Sequence, residues 1–211
     1  MWYKGIRIIL DALKALDSQE VDFRMVFVGS GKDEQEIRKT AEDYGLFKKV
    51  FFTGPVSERN VLQAWYSRAD MFLFPSTFDT NGLVVREASA SGLASVLIKN
   101  SAAAEGVSDG VNGVLIEENA ASLAVCLMKL IHTEGAMRTI GEKASEDLYL
   151  SWDTAVSRAV ERYEIVIDNY KSGRYPKHTN PADTLFRLKD GVTELFERFR
   201  DPDTAEMADW F

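Results

Sequence analysis

Asp79 and Glu87 stand on either side of a Gly-containing turn, separated by seven residues. They lie in the stretch 75–92, which reads PSTFDTNGLVVREASASG. An apolar run, Met71-Phe72-Leu73-Phe74, precedes it and reads as a buried parallel strand; a helical pattern begins near Gly82. A strand that opens through a loop into a helix presents unpaired backbone N–H groups and a positive helix end. In an open α/β sheet, ligands bind at that carboxyl edge. Ionised carboxylates are acceptors only and bond strongly to hydroxyls. Carboxylates beside an anion-binding helix end therefore suit a ligand that carries hydroxyls as well as phosphates, as a nucleotide sugar does. Asp79 has a second reading, a loop cap bonded to its own backbone.

The elements that must hold this turn alternate along the chain. Ile6, Ile9, Leu10, Leu13 and Leu16 recur at helical spacing, with Lys4-Gly5 at the helix start. A lysine there opposes the helix dipole unless an anion is bound; on these residues alone a solvated terminal lysine is the better explanation. Arg24–Val28 reads as a strand, followed by Gly29-Ser30-Gly31 and a charged helix over 33–44 closed by Gly45. Position 34 is Glu, so the dinucleotide fingerprint fails, and no P-loop sequence is present. The glycines still permit a tight turn and close approach to a ligand. Lys48–Thr53 is the next strand, ending at Gly54-Pro55, and Ser57 is the expected N-cap of a helix bearing Val61, Leu62, Trp65 and Tyr66 as core and rim. Strands over 95–98 and 113–117 follow, then helices over 120–132, 136–148 and 152–171. The alternation predicts a parallel, doubly wound α/β sheet without internal repeats.

Composition excludes several classes. A formal net charge of −8 argues against nucleic acid as a partner, since phosphate backbones need a basic surface. The single cysteine, Cys126, rules out an internal disulfide framework and suits a reducing, cytoplasmic compartment. It sits in the apolar run LAVCLMKLI and reads as a small buried hydrophobe. No apolar run reaches the length of a membrane span. The domain is expected over 1–172, followed by a linker and amphipathic tail over 173–211. The tail helix, 184–200, aligns Leu185, Leu188, Val192, Leu195 and Phe199. Its polar face lacks the basic excess of a membrane-surface helix, so packing on a protein domain is favoured over peripheral membrane contact.

The ordered set of motifs goes further. K-G at 4–5, V-G-S-G at 28–31, V-F-F-T-G-P-V at 50–56, A-D-M-F-L-F-P-S at 69–76, G-L-V-V-R-E-A at 82–88, S-G at 91–92 and E-G-V-S-D-G-V-N-G at 105–113 resemble the C-terminal, donor-binding half of retaining glycosyltransferases of the GT-B fold, in the large family called GT4. The resemblance implies a Rossmann-like domain that binds a nucleotide diphosphate sugar as substrate, with no metal or other cofactor. The family's pair of glutamates, E-x7-E, falls on Asp79 and Glu87. By resemblance Glu87 holds the ribose hydroxyls and Asp79 the donor-sugar hydroxyls. Lys4 matches the lysine that contacts the donor diphosphate and neutralises the leaving group. The backbone of Asn81, Gly82, Leu83 and Val84 should meet the sugar and distal phosphate, and Gly29, Gly31, Pro55 and Val56 complete the substrate-binding set. Asp79 is one methylene shorter than the usual Glu, and Asn81 stands where an aromatic is common.

The resemblance also implies absences. The family's first strand is central, between those at 24–28 and 70–74, and an arginine at its end precedes the lysine. Neither is present in this sequence, nor is the acceptor-binding N-terminal half. The expectation is a piece of a longer protein that carries half a donor site and does not turn over alone. The alternatives are a non-catalytic nucleotide-sugar-binding module and a GT-B nucleotide-sugar epimerase, whose extra carboxylate and histidine set has no match here. His132 and His178 stand alone in the sequence. A receiver domain would need an acidic cluster at the ends of the first strands, and 24–31 has none.

Overall fold

Apolar side chains recurring every three to four residues must face one way on a helix, and alternate side chains on a strand must face opposite ways. The computed structural model, which describes residues 1–175 except Asn81, is built on those two periods. A 3-10 turn, Trp2–Lys4, leads through Gly5 into α1 (Ile6–Asp17). Then come β1 (Met25–Val28), α2 (Glu34–Asp43), β2 (Val50–Gly54), α3 (Arg59–Arg68), β3 (Met71–Phe74), α4 (Leu83–Ala90), β4 (Ala94–Ile98), β5 (Val114–Ile116), α5 (Ala120–His132) and α6 (Ala136–Asp147). Contacts group Met1–Ser151 as one unit, and a second unit begins at Trp152 with α7 (Trp152–Lys171). The expected tail helix at 184–200 and His178 lie outside the described residues.

Every strand pair is parallel, as the alternation predicts. β1 pairs with β2 from Met25↔Val50. β3 pairs with β4 from Met71↔Ala94, and β4 with β5 from Val96↔Val114. Among the described residues the strands form two hydrogen-bonded sheets, β1-β2 and β3-β4-β5, and not one continuous sheet. Among the described residues no strand joins β1 to β3, the place where the sequence reading expects a central strand to be missing. The fold is α/β, with helices covering parallel sheets.

One apolar cluster gathers both sheets. Ile9, Leu10, Leu13 and Leu16 of α1 are buried in it with Val96 and Ile98 of β4 and Leu123 and Leu127 of α5. Met25 and Phe27 of β1 and Met71 and Leu73 of β3 pack against them. Burying each of these leucines contributes about 1.5–3 kcal/mol. The alternate strand residues turn the other way: Leu97 is buried with Val85 of α4, flanked by Phe72 and Phe74. β4 is buried at all five positions, which explains its unbroken ASVLI run.

Two local expectations change. Glu58, not Ser57, occupies the N-cap of α3, and no side chain caps that helix. α3 also buries none of its residues: Val61 and Trp65 are exposed and belong to neither core cluster. The turn signals at 109–113 do mark a turn, held by the buried Asn112, which accepts from Ser108 N–H at 2.7 Å and donates to Asp147 of α6 at 3.2 Å.

Candidate functional site

The N-terminal turn brings Lys4 to the loop after β3. Gly5 makes this approach possible. Its φ is +76°, and a Cβ there would sit 1.8 Å from the Pro75 carbonyl oxygen. No other residue fits both conditions. Lys4 Nζ then donates to Asp79 Oδ2 at 2.9 Å and to the Phe78 carbonyl at 3.3 Å. Upstream, Trp2 N–H donates to Asp33 Oδ2 at 3.1 Å, beyond the end of β1. One short turn therefore ties the carboxyl end of β1 to that of β3.

Asp79 is held from two sides. The Gly82 N–H donates to its Oδ1 at 3.1 Å. Gly82 has φ +56° and is the N-cap of α4. The loop-cap reading of Asp79 matches the Gly82 N–H bond, and Lys4 balances the charge of the same carboxylate. Tyr3, Lys4, Thr77, Phe78, Asp79 and Thr80 line an open cleft of about 390 Å³, within the usual range for a small-molecule site. Phe78 is 71% exposed and meets Tyr3 edge-on at 5.1 Å between ring centroids, which forms an aromatic rim. The first turn of α4 points backbone N–H groups out of the helix end, at Leu83, which is exposed, and Val84, which packs partly into the second cluster.

Glu87 does not line that cleft. It lies on the second turn of α4, exposed, and its Oε2 accepts from the Tyr66 hydroxyl of α3 at 3.3 Å. Burial, then the Glu87 charge, raises the Tyr66 pKa well above that of a free tyrosine, so the phenol stays a donor. Pairing across 21 residues leaves no periodic trace, and α3 reads in sequence as packing. Tyr66 is the site neighbour that sequence reasoning missed.

The glycine turn after β1 splits in two. Gly29 has open space where a Cβ would stand, whereas Gly31 has the Met1 side chain there, at 2.8 Å. Gly29 N–H donates to Gly54 O at 2.8 Å, which places Pro55 and Val56 beside this turn. Asn81 lies outside the described residues. Among the described residues no group of His, Cys, Asp and Glu is placed to hold a metal ion. Among the described residues His132 bonds to its own helix, at Met128 O. Burial pushes the Cys126 thiol up to about 11.

Comparison with known proteins agrees in kind. The family model for glycosyl transferases group 1 matches residues 1–147. An uncharacterized glycosyltransferase of Methanocaldococcus jannaschii is 28% identical over 171 residues, covering 79% of this chain and 43% of that protein. The C-terminal domain of a group 1 glycosyl transferase, LpcC from Francisella tularensis, superposes with TM-score 0.63 at 25% identity, over 69% of this chain and 78% of that one. Anabaena HepE, crystallised with UDP and glucose, superposes with TM-score 0.66 at 26% identity, over 78% of this chain and 45% of that one. The chain spans less than half the length of the curated relatives it matches first.

Proposed function

Because the chain belongs to the group 1 glycosyl transferase family, we propose that it forms the donor-binding half of a retaining glycosyltransferase. The donor is a nucleotide diphosphate sugar, and the sugar passes to a hydroxyl acceptor held by another domain. The observation that carries the reading is the Lys4–Asp79 pair, 2.9 Å apart in an open cleft beside the start of α4. The UDP and glucose bound in the Anabaena structure support the same ligand class here, and uridine is the first base to try.

Each side chain has a distinct task. The Lys4 ammonium faces the diphosphate and offsets the negative charge that grows on it as the bond to the sugar breaks, the stage at which preorganised charge is most effective. N–H groups at the start of α4 bind the distal phosphate. Asp79 accepts hydrogen bonds from sugar hydroxyls and Glu87 from ribose hydroxyls. The open space at Gly29 lets backbone approach the nucleotide. The lone thiol suits a reducing, cytoplasmic setting.

A thermal-shift panel of UDP-, GDP- and ADP-sugars against the 211-residue chain tests this reading. At least one sugar nucleotide should raise the melting temperature, with the shift abolished by Lys4→Ala and reduced by Glu87→Ala. A panel without any shift, or variants that bind as the parent does, would remove the assignment.

A further inference from the structure

We propose that Tyr66 is a positioning residue for the nucleotide ribose, acting through Glu87. The inference rests on the donor-site reading and adds to it a residue from a helix that reading does not use. Glu87 is exposed on α4 and has a flexible side chain. Left alone, such a carboxylate samples many rotamers, and a ligand that needs one of them bears the ordering cost. The Tyr66 hydroxyl removes that freedom. It donates to Oε2 at 3.3 Å, long for an O–H···O bond and of the kind that shortens when a ligand completes the site. Oε1 is left for the ligand.

Tyr66 is itself held. Its ring meets Phe72 of β3 edge-on at 5.7 Å, and Phe72 stacks on Phe74 at 5.7 Å. The ring is half-buried in a helix that buries no residue fully. Burial and the Glu87 charge both oppose ionisation of the phenol, which therefore serves as a donor. The chain of support runs from the strand through two aromatic rings to one carboxylate. A helix that contributes little to the core thereby orders a side chain on its neighbour.

Isothermal titration separates this role from plain packing. UDP, GDP and ADP are screened first, and the one that binds is compared with its 2′,3′-dideoxy counterpart. The parent should prefer the ribonucleotide by roughly tenfold or more, the scale of hydrogen bonds to a charged acceptor. Tyr66→Phe keeps the ring on Phe72 and removes only the hydroxyl. It should cut ribonucleotide affinity about three- to tenfold and leave dideoxynucleotide affinity within twofold. In a Glu87→Ala background the same change should do nothing further. A parent that binds none of the three nucleotides, or binds both sugars alike, removes the Glu87 reading and this inference with it. Preference intact in Tyr66→Phe, or an equal loss for both ligands, removes the inference alone. Should Tyr66→Phe melt early, Glu87→Ala and Tyr66→Leu/Glu87→Ala are compared on the ribonucleotide. Equal affinity supports the coupling, and a further loss overturns it.

Discussion

At Asp79 one carboxylate serves the loop and faces the cleft, and the two tasks respond differently to substitution. Asparagine keeps an oxygen for the Gly82 N–H and loses the charge that meets Lys4. That ion pair is partly exposed, at 33% and 21%, so its stability contribution is about 1 kcal/mol at most. Asp79→Asn should therefore shift the melting temperature by about 3 °C or less, while sugar-nucleotide affinity falls about tenfold or more. Asp79→Ala loses the backbone bond as well and should cost about 1 kcal/mol further in denaturant unfolding. A binding loss no larger in Asp79→Asn than the stability loss predicts would assign Asp79 to the loop alone. Cys126 gives a second test at this scale. With burial raising its pKa to about 11, only about one thiol in a thousand is ionised at pH 8, against about a quarter for a free thiol. Alkylation of the native chain at pH 8 should run roughly a hundredfold slower than for a model thiol and quicken as pH rises. Complete labelling within minutes would contradict the raised pKa of this partly buried thiol.

The elements meet the site through close approaches that tolerate no side chain. Gly5→Ala should destabilise the chain by about 2–4 kcal/mol, from the left-handed φ and a clash with the Pro75 carbonyl. It should abolish nucleotide binding even where the variant is folded, because Lys4 would be pushed from Asp79. Retained affinity in a folded Gly5→Ala chain would show that the turn does not set the lysine. The reading of K-G came only from family resemblance, because on the residues alone a lysine at a helix start is better explained as a solvated side chain. The helical faces of α1 and α5 and the buried β4 run were legible, since burial on one or both faces leaves a period. α3 was misread because Val61, Leu62, Trp65 and Tyr66 carry the spacing of a buried face, while tertiary context leaves Val61 and Trp65 exposed. The Tyr66–Glu87 bond left no signal, since nothing local links α3 to α4.

Across the first unit, the two sheets share a cluster through α1 but share no strand among the described residues. The parallel pairing was legible from alternation; the break was expected only from family resemblance, because a strand's pairing partner is not written in its own residues. The cleft follows from this arrangement. Its lining comes from the N-terminal turn and the loop after β3, and it is open, with Phe78 at the rim. Under the proposed function these groups hold a diphosphate and hydroxyls, and among the described residues the cleft stays open to water. Orientation of two reactants is worth about 7–11 kcal/mol of a barrier, far more than one ammonium supplies at about 2.7–4 kcal/mol. The 211-residue chain should therefore bind a nucleotide diphosphate sugar by calorimetry and show no transfer to hydroxyl acceptors in a product assay. Sustained transfer by this chain alone would mean that the acceptor wall lies within its own residues, and would overturn the half-site reading while leaving the donor site in place.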